Sequence, residues 1–144
     1  MTDAMFAAMM IPPHQTGIVT QMAIDKATTP GVRQIAQEAM DSQQSQLPTL
    51  QSIAEAGAQD AMPPEAPIQA MNQQEMAELQ ALSGEDFDRK WLDVFRSHHM
   101  AAIMMADVAL AGTDGGDAKT VEQQIHDGQL QQLDTMNTLR EQLG

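Results

Sequence analysis

Two adjacent histidines and three methionines lie within one short run, Ser97-His98-His99-Met100-Ala101-Ala102-Ile103-Met104-Met105-Ala106. Imidazole nitrogen suits Cu, Zn, Fe and Ni, while thioether sulfur favours Cu(I) among common biological metals. The chemistry on offer is the binding of a soft or borderline cation. His14, four residues after Met10, offers a further imidazole and thioether. On a helix each residue advances roughly 100°, which places Leu92, Phe95, His99, Ala102, Ala106 and Leu110 in one apolar sector. His99 is thus expected in a core stripe. His98 and Met105 fall together on its flank, and Met100 and Met104, at i and i+4, share a different face bordered by Ser97. Neighbouring imidazoles on one helix diverge by roughly 100° and cannot share one ion. A site therefore needs His99 with His14 across the core, or His98 with Met105 on the flank.

Positioning these groups requires long helices, and the composition supplies them. The 144 residues are 42% hydrophobic but only 3% aromatic. Ala, Gln, Met, Leu and Glu, which are strong helix formers, dominate. That length fits a single domain with a real core. The net charge of −13 repels nucleic acid and anionic lipid while drawing cations weakly. There is no cysteine, hence no disulfide framework and no thiolate metal site. No apolar run approaches the roughly 18 residues of a membrane span. The opening Met1-Thr2-Asp3-Ala4 lacks the basic and apolar regions of a secretory signal. The chain is then either cytoplasmic or a mature segment from which a signal has been removed.

In chain order, Thr2 is a suitable N-cap for a first helix carrying Met5, Phe6, Met9 and Met10. Pro12-Pro13 is predicted to kink or break it just before His14, because two backbone donors are lost there. Thr28-Thr29-Pro30 reads as a stop and restart, with Thr29 as N-cap and Pro30 at the first helical position. The second helix should end near Gly57 and kink at Pro48. Residues 58 to about 72, with Pro63, Pro64 and Pro67, read as an extended linker, followed by a short helix from Gln73 to Leu82. Ser83 should cap the helix that carries the His-His run, and the turn Gly112–Gly116 leads to a last helix reaching Leu143. Four long helices and one longer connection make an all-α, four-helix up-down bundle over residues 1–144.

The pattern repeats. Asp3, Phe6, Met10 and His14 match Asp88, Trp91, Phe95 and His99 at an offset of 85, and Ala39, Gln43, Leu47 and Leu50 match Ile125, Gln129, Leu133 and Met136 at 86. Two helical hairpins, about 1–57 and 83–144, should pack as pseudo-symmetric halves with His14 over His99.

Phe6-x3-Met10-Ile11-Pro12-x-His14-Gln15 and Trp91-Leu92-x2-Phe95-x2-His98-His99-x2-Ala102-Ile103-x-Met105-Ala106 resemble the bacterial family catalogued as domain of unknown function 305. The resemblance spans nearly the whole chain. It departs from the family pattern in the first half: Pro13 stands where the first His of a pair is expected, and the following methionine is displaced to Met22. The resemblance implies a ferritin-like four-helix bundle, export to the periplasm or beyond it, and, for some members, copper binding.

Each chemical reading has a plainer rival. Methionine is a flexible core filler, and Met105 and Met136 fit that role. Met5, Met9, Met100 and Met104 lie off the predicted core, where they could hold Cu(I) or Ag(I) or form a surface for a protein partner or a second copy. His126 is read as a surface histidine paired with Glu122 at i−4, and Gln43 and Gln129 as inward amides able to orient an imidazole. An enzyme is not expected. The chain has no Glu-x-x-His pair for a di-iron centre, no His-Glu-x-x-His, no Gly-rich phosphate loop and no Gly-x-Ser-x-Gly elbow. The expected function is non-enzymatic binding of copper, as Cu(I) or Cu(II), by His14, His98, His99, Met10, Met100, Met104 and Met105. The alternative is a helical interaction module whose Met-rich faces dock a partner without metal.

Overall fold

The computed structural model describes residues 1–57 and 67–144, with the side chains of 13, 15, 16, 18 and 67–72 outside that description. Among the described residues the chain forms six helices and no strand: α1 (Asp3–Thr16), α2 (Ile18–Lys26), α3 (Pro30–Ala56), α4 (Pro67–Ala81), α5 (Gly84–Ala111) and α6 (Gly116–Leu143). The Pro-rich linker expected from residue 58 lies outside the described residues as far as 66. Its last part is corrected, because α4 already begins at Pro67, and proline is well suited to the first turn of a helix, where its missing N–H is not needed.

Thr2 caps α1 as expected, its hydroxyl accepting from the Met5 N–H at 3.1 Å. The predicted break at Pro12-Pro13 is not found. α1 runs through both prolines and His14, and the chain turns instead at Gly17, with φ +53°. Proline's fixed φ is itself helical, and Phe6, Ala7, Met10 and His14 are all buried on one side of α1. Packing of that stripe holds the helix across two missing hydrogen bonds. Glycine is the residue that enters the left-handed region at least cost. Pro48 likewise sits inside an uninterrupted α3.

Two apolar clusters fill the interior. One gathers Ala23, Val32, Ile35, Leu79, Phe87, Trp91, Leu92, Phe95 and Met136. The other gathers Phe6, Met10, Leu50, Ala102, Ala106, Val121 and Ile125. α5 contributes to both, and the stripe predicted for it is buried from Leu92 to Ala106, His99 included, while Leu110 is half-buried. The Trp91 indole N–H donates to the Val19 carbonyl at 2.8 Å, tying α5 to α2. The Lys26 ammonium donates to the Leu79 and Gln80 carbonyls at the end of α4, at 2.9 and 3.3 Å.

Polar ties recur at the offset seen in the sequence. Asp88, near the start of α5, accepts from the N–H and hydroxyl of both Thr28 and Thr29 in the α2–α3 turn. Asp3, 85 residues earlier near the start of α1, accepts at 3.1 Å from the N–H of Asp114, in the α5–α6 turn. A carboxylate near the start of each hairpin thus clasps the other hairpin's turn. The Thr29 hydroxyl is drawn to Asp88 at 2.6 Å, and Thr29 makes no side-chain cap on α3.

Candidate functional site

The histidines divide into two buried rings and two partly exposed ones. His99, only 2% exposed, stacks obliquely on Phe95 with ring centroids 4.5 Å apart. Its Nδ1 donates to the Phe95 carbonyl at 3.1 Å, and its Nε2 meets the Gln132 side-chain amide at 2.7 Å. Burial pulls its pKa below the usual histidine value, against the opposing pull of Gln132 and the Phe95 carbonyl. A neutral ring that donates from Nδ1 carries its lone pair on Nε2, so the Gln132 amide must turn its NH2 toward that atom. Both nitrogens are then occupied within the protein.

His14 repeats the arrangement in the other hairpin. It is buried, its Nε2 meets the Gln46 amide at 3.0 Å, and burial again lowers its pKa. Its Nδ1 makes no hydrogen bond, although the Met10 carbonyl, the counterpart of the Phe95 carbonyl, lies near enough to favour an N–H there. The two imidazoles are not hydrogen-bonded to each other; each faces a glutamine. Those glutamines are Gln46 and Gln132, not Gln43 and Gln129. The signal for them was present in the sequence, since 46 and 132 also differ by 86. Which of two inward amides reaches the ring depends on the height at which the partner helix packs, which periodicity leaves undefined.

His98 lies at the seam between α5 and α4, about a third exposed, with Nε2 2.8 Å from a Glu75 carboxylate oxygen. It lies on the same side of α5 as Met105, seven residues and about two turns away, but the two have different neighbours. Met105 is half-buried against the cluster of Phe6, Met10 and Leu50, while His98 faces α4. The helical wheel placed them side by side, but different neighbours cover those two positions. Met10 is buried in the cluster that Met105 packs against, and Met9, expected off the core, packs against it too because α1 turns that side toward its neighbours. Met100 and Met104 do reach solvent, 46% and 67% exposed, and Val108 one turn further on is exposed too.

His126 is also re-paired. Its Nε2 lies 3.0 Å from Asp107 on α5 and its Nδ1 2.9 Å from Asp127. Glu122, expected as its surface partner, is instead buried. Among the described residues no three His, Asp or Glu side chains cluster to hold an ion. Of the predicted donors, those that remain open are the Met100 and Met104 thioethers and the His98 imidazole beside Glu75. The first pair suits Cu(I) or Ag(I), and the second suits Cu(II).

The family model for the domain of unknown function DUF305 matches residues 3–140. The chain belongs to the DUF305 family. Solved structures share the fold. CopM in its Cu(II)-bound form is 22% identical with a TM-score of 0.80, covering 99% of this chain and 98% of CopM. A DUF305 protein of Streptomyces coelicolor, described as secreted, is 21% identical with a TM-score of 0.83, covering 99% of this chain and 93% of that one. A DUF305 fragment from Deinococcus radiodurans gives 20% and 0.82, with 97% and 95% covered. CopM has also been solved with Cu(I) and with Ag. No curated protein matches this chain in sequence. No helix among the described residues is long and apolar enough to cross a membrane.

Proposed function

We propose that this DUF305 protein binds a soft or borderline metal without catalysing a reaction, copper being the best fit. The observation that carries the reading is the exposed pair Met100 and Met104. Two apolar thioethers stand one turn apart in water on a well-packed helix, and packing gives them no role. Thioethers hold Cu(I) without having to lose a proton. His98 with Glu75 offers a separate nitrogen–oxygen pair for Cu(II). Two donors leave a shell incomplete, which favours sequestration with ready hand-off over tight storage. The copper- and silver-bound CopM structures support this reading, as does the fold they share with this chain. Export, to the periplasm or beyond, accompanies it and agrees with a neighbour described as secreted. We also assign the helices to a ferritin-like four-helix up-down bundle, with α1 and α2 together forming one rod and α4 as an addition on α5.

The test is titration of the purified protein and two variants with Cu(I), Ag(I) and Cu(II). Met100→Leu with Met104→Leu should weaken Cu(I) and Ag(I) binding by about tenfold or more and spare Cu(II). His98→Ala should weaken Cu(II) and leave the fold nearly unchanged. If both bind every ion as the parent does, the metal reading fails. Val108 favours a second reading, because it extends the Met100–Met104 stripe with an exposed apolar side chain that no metal needs. On that reading the stripe docks a partner helix, and no stoichiometric ion would be found.

A further inference from the structure

The two hairpins differ at one buried position. Asp88 in its half is fully satisfied: Oδ1 accepts from the Thr28 N–H, and Oδ2 accepts from the Thr28 hydroxyl and from both the N–H and the hydroxyl of Thr29. At the other end Asp3 uses Oδ2 for the Asp114 N–H, and its buried Oδ1 has no donor. Beside it stands Glu122 of α6, 1% exposed, with neither carboxylate oxygen receiving a hydrogen bond. The residue 86 positions earlier is the buried Ala36, so the packing of this motif does not require a carboxyl there. Three buried acceptor oxygens without a donor are costly. A single proton removes the conflict, because a protonated Glu122 becomes a donor and Asp3 its acceptor.

We propose that Asp3 and Glu122 share one proton, forming a pH-sensitive latch between the start of α1, the α5–α6 turn and α6. Burial, then the neighbouring Asp3, pushes Glu122 up to about 8. Burial pushes Asp3 up, but the neighbouring Glu122 carboxyl, the Asp114 N–H and the Thr113 hydroxyl prevail and hold it below the usual carboxylate range. Among the described residues no basic group shifts either carboxyl. From α1 the facing group is Asp3, and from the turn it is Thr113 with the Asp114 N–H. On α6 itself, His126 one turn on is held by Asp107 of α5 and by Asp127, and Lys119 is exposed. α3 meets this end of α1 through Gly57 against Ala4. Among the described residues neither carboxyl forms a salt bridge.

A carboxyl whose folded pKa is raised contributes stability that is complete below its unfolded value of about 4.5 and is lost as pH rises through about 8. Below the upper limit the latch is closed; above it two like charges face each other and the turn is released.

The experiment compares the full chain with Glu122→Gln, which keeps the shape and a donor but cannot ionise. Thermal unfolding is followed from pH 5 to 9. The difference in Tm between parent and variant should move against the parent by about 4 °C per pH unit between pH 5 and 8, then level off. At pH 8.5 the Asp114 amide should exchange faster in the parent than in the variant. Asp3→Asn should move the upper end of the slope to lower pH, since the opposing charge is gone. Parallel pH profiles for parent and Glu122→Gln would overturn the proposal. So would a 13C titration of the parent showing the Glu122 carboxyl ionising near 4.5, and that measurement decides the matter even if the variant does not fold.

Discussion

Asp88 offers the sharpest test of how the two hairpins are held together. It is completely buried and accepts four hydrogen bonds from Thr28 and Thr29, at 2.6 to 3.1 Å. Hydrogen bonds to an ionised group contribute about 1.5–3 kcal/mol each, and a buried donor left alone costs about 1–3 kcal/mol. The four bonds are not additive, because they share one acceptor group. Thr28 is exposed and can turn to water, whereas Thr29 is half-buried. Asp88→Ala should therefore cost about 3–4 kcal/mol, the equivalent of roughly one strong bond plus the orphaned Thr29 N–H. For a chain of this size that lowers Tm by about 10 °C. Asp88→Asn keeps the shape but turns one acceptor into a donor facing donors, and it should fall between Ala and the parent. Asp3→Asn is the internal control, since the equivalent carboxylate is only partly buried and receives a single backbone hydrogen bond. At pH 6 it should cost about 1 kcal/mol or less. Chemical and thermal unfolding of the three variants measure this. If Asp88→Ala costs under about 1 kcal/mol, or Asp3→Asn costs as much, then burial does not set the strength of this clasp and the reasoning is wrong.

Gln132→Leu leaves the His99 Nε2 lone pair buried without a donor and should cost about 1–3 kcal/mol; an unchanged denaturant midpoint would show that the pair contributes nothing. His99→Ala removes the ring as well and should cost more, about 2–5 kcal/mol, through the cavity it opens, while Cu(I) binding at Met100 and Met104 stays intact. The depressed pKa values of His14 and His99 imply the reverse pH dependence to Glu122. Unfolded histidines take up protons near pH 6.5 while the buried rings resist, so their contribution is present above that value and declines below it. In a Glu122→Gln background Tm should fall between pH 7 and pH 5, and a flat profile there would mean that both rings protonate freely in the folded state.

Sequence alone determined the features set by local pattern. The helix-forming alphabet, the apolar sector of α5 with His99 in it, the Thr2 cap and the restart at Thr29-Pro30 all depend on residues a few positions apart. So does the exposure of Met100 and Met104, because a residue opposite a buried stripe faces outward unless something covers it. Tertiary structure decided everything that depends on how far one helix is shifted along another. Gln46 and Gln132, not the amides one turn earlier, meet the two buried rings, because the packing height of α1 against α3 and of α5 against α6 selects them. The turn falls at Gly17, not at Pro12-Pro13, because burial of Phe6, Met10 and His14 outweighs two missing backbone donors. Glu122 carries the same charge and spacing as any surface glutamate paired at i+4. Its burial beside Asp3, more than a hundred residues away in the chain, is a contact that no local window contains.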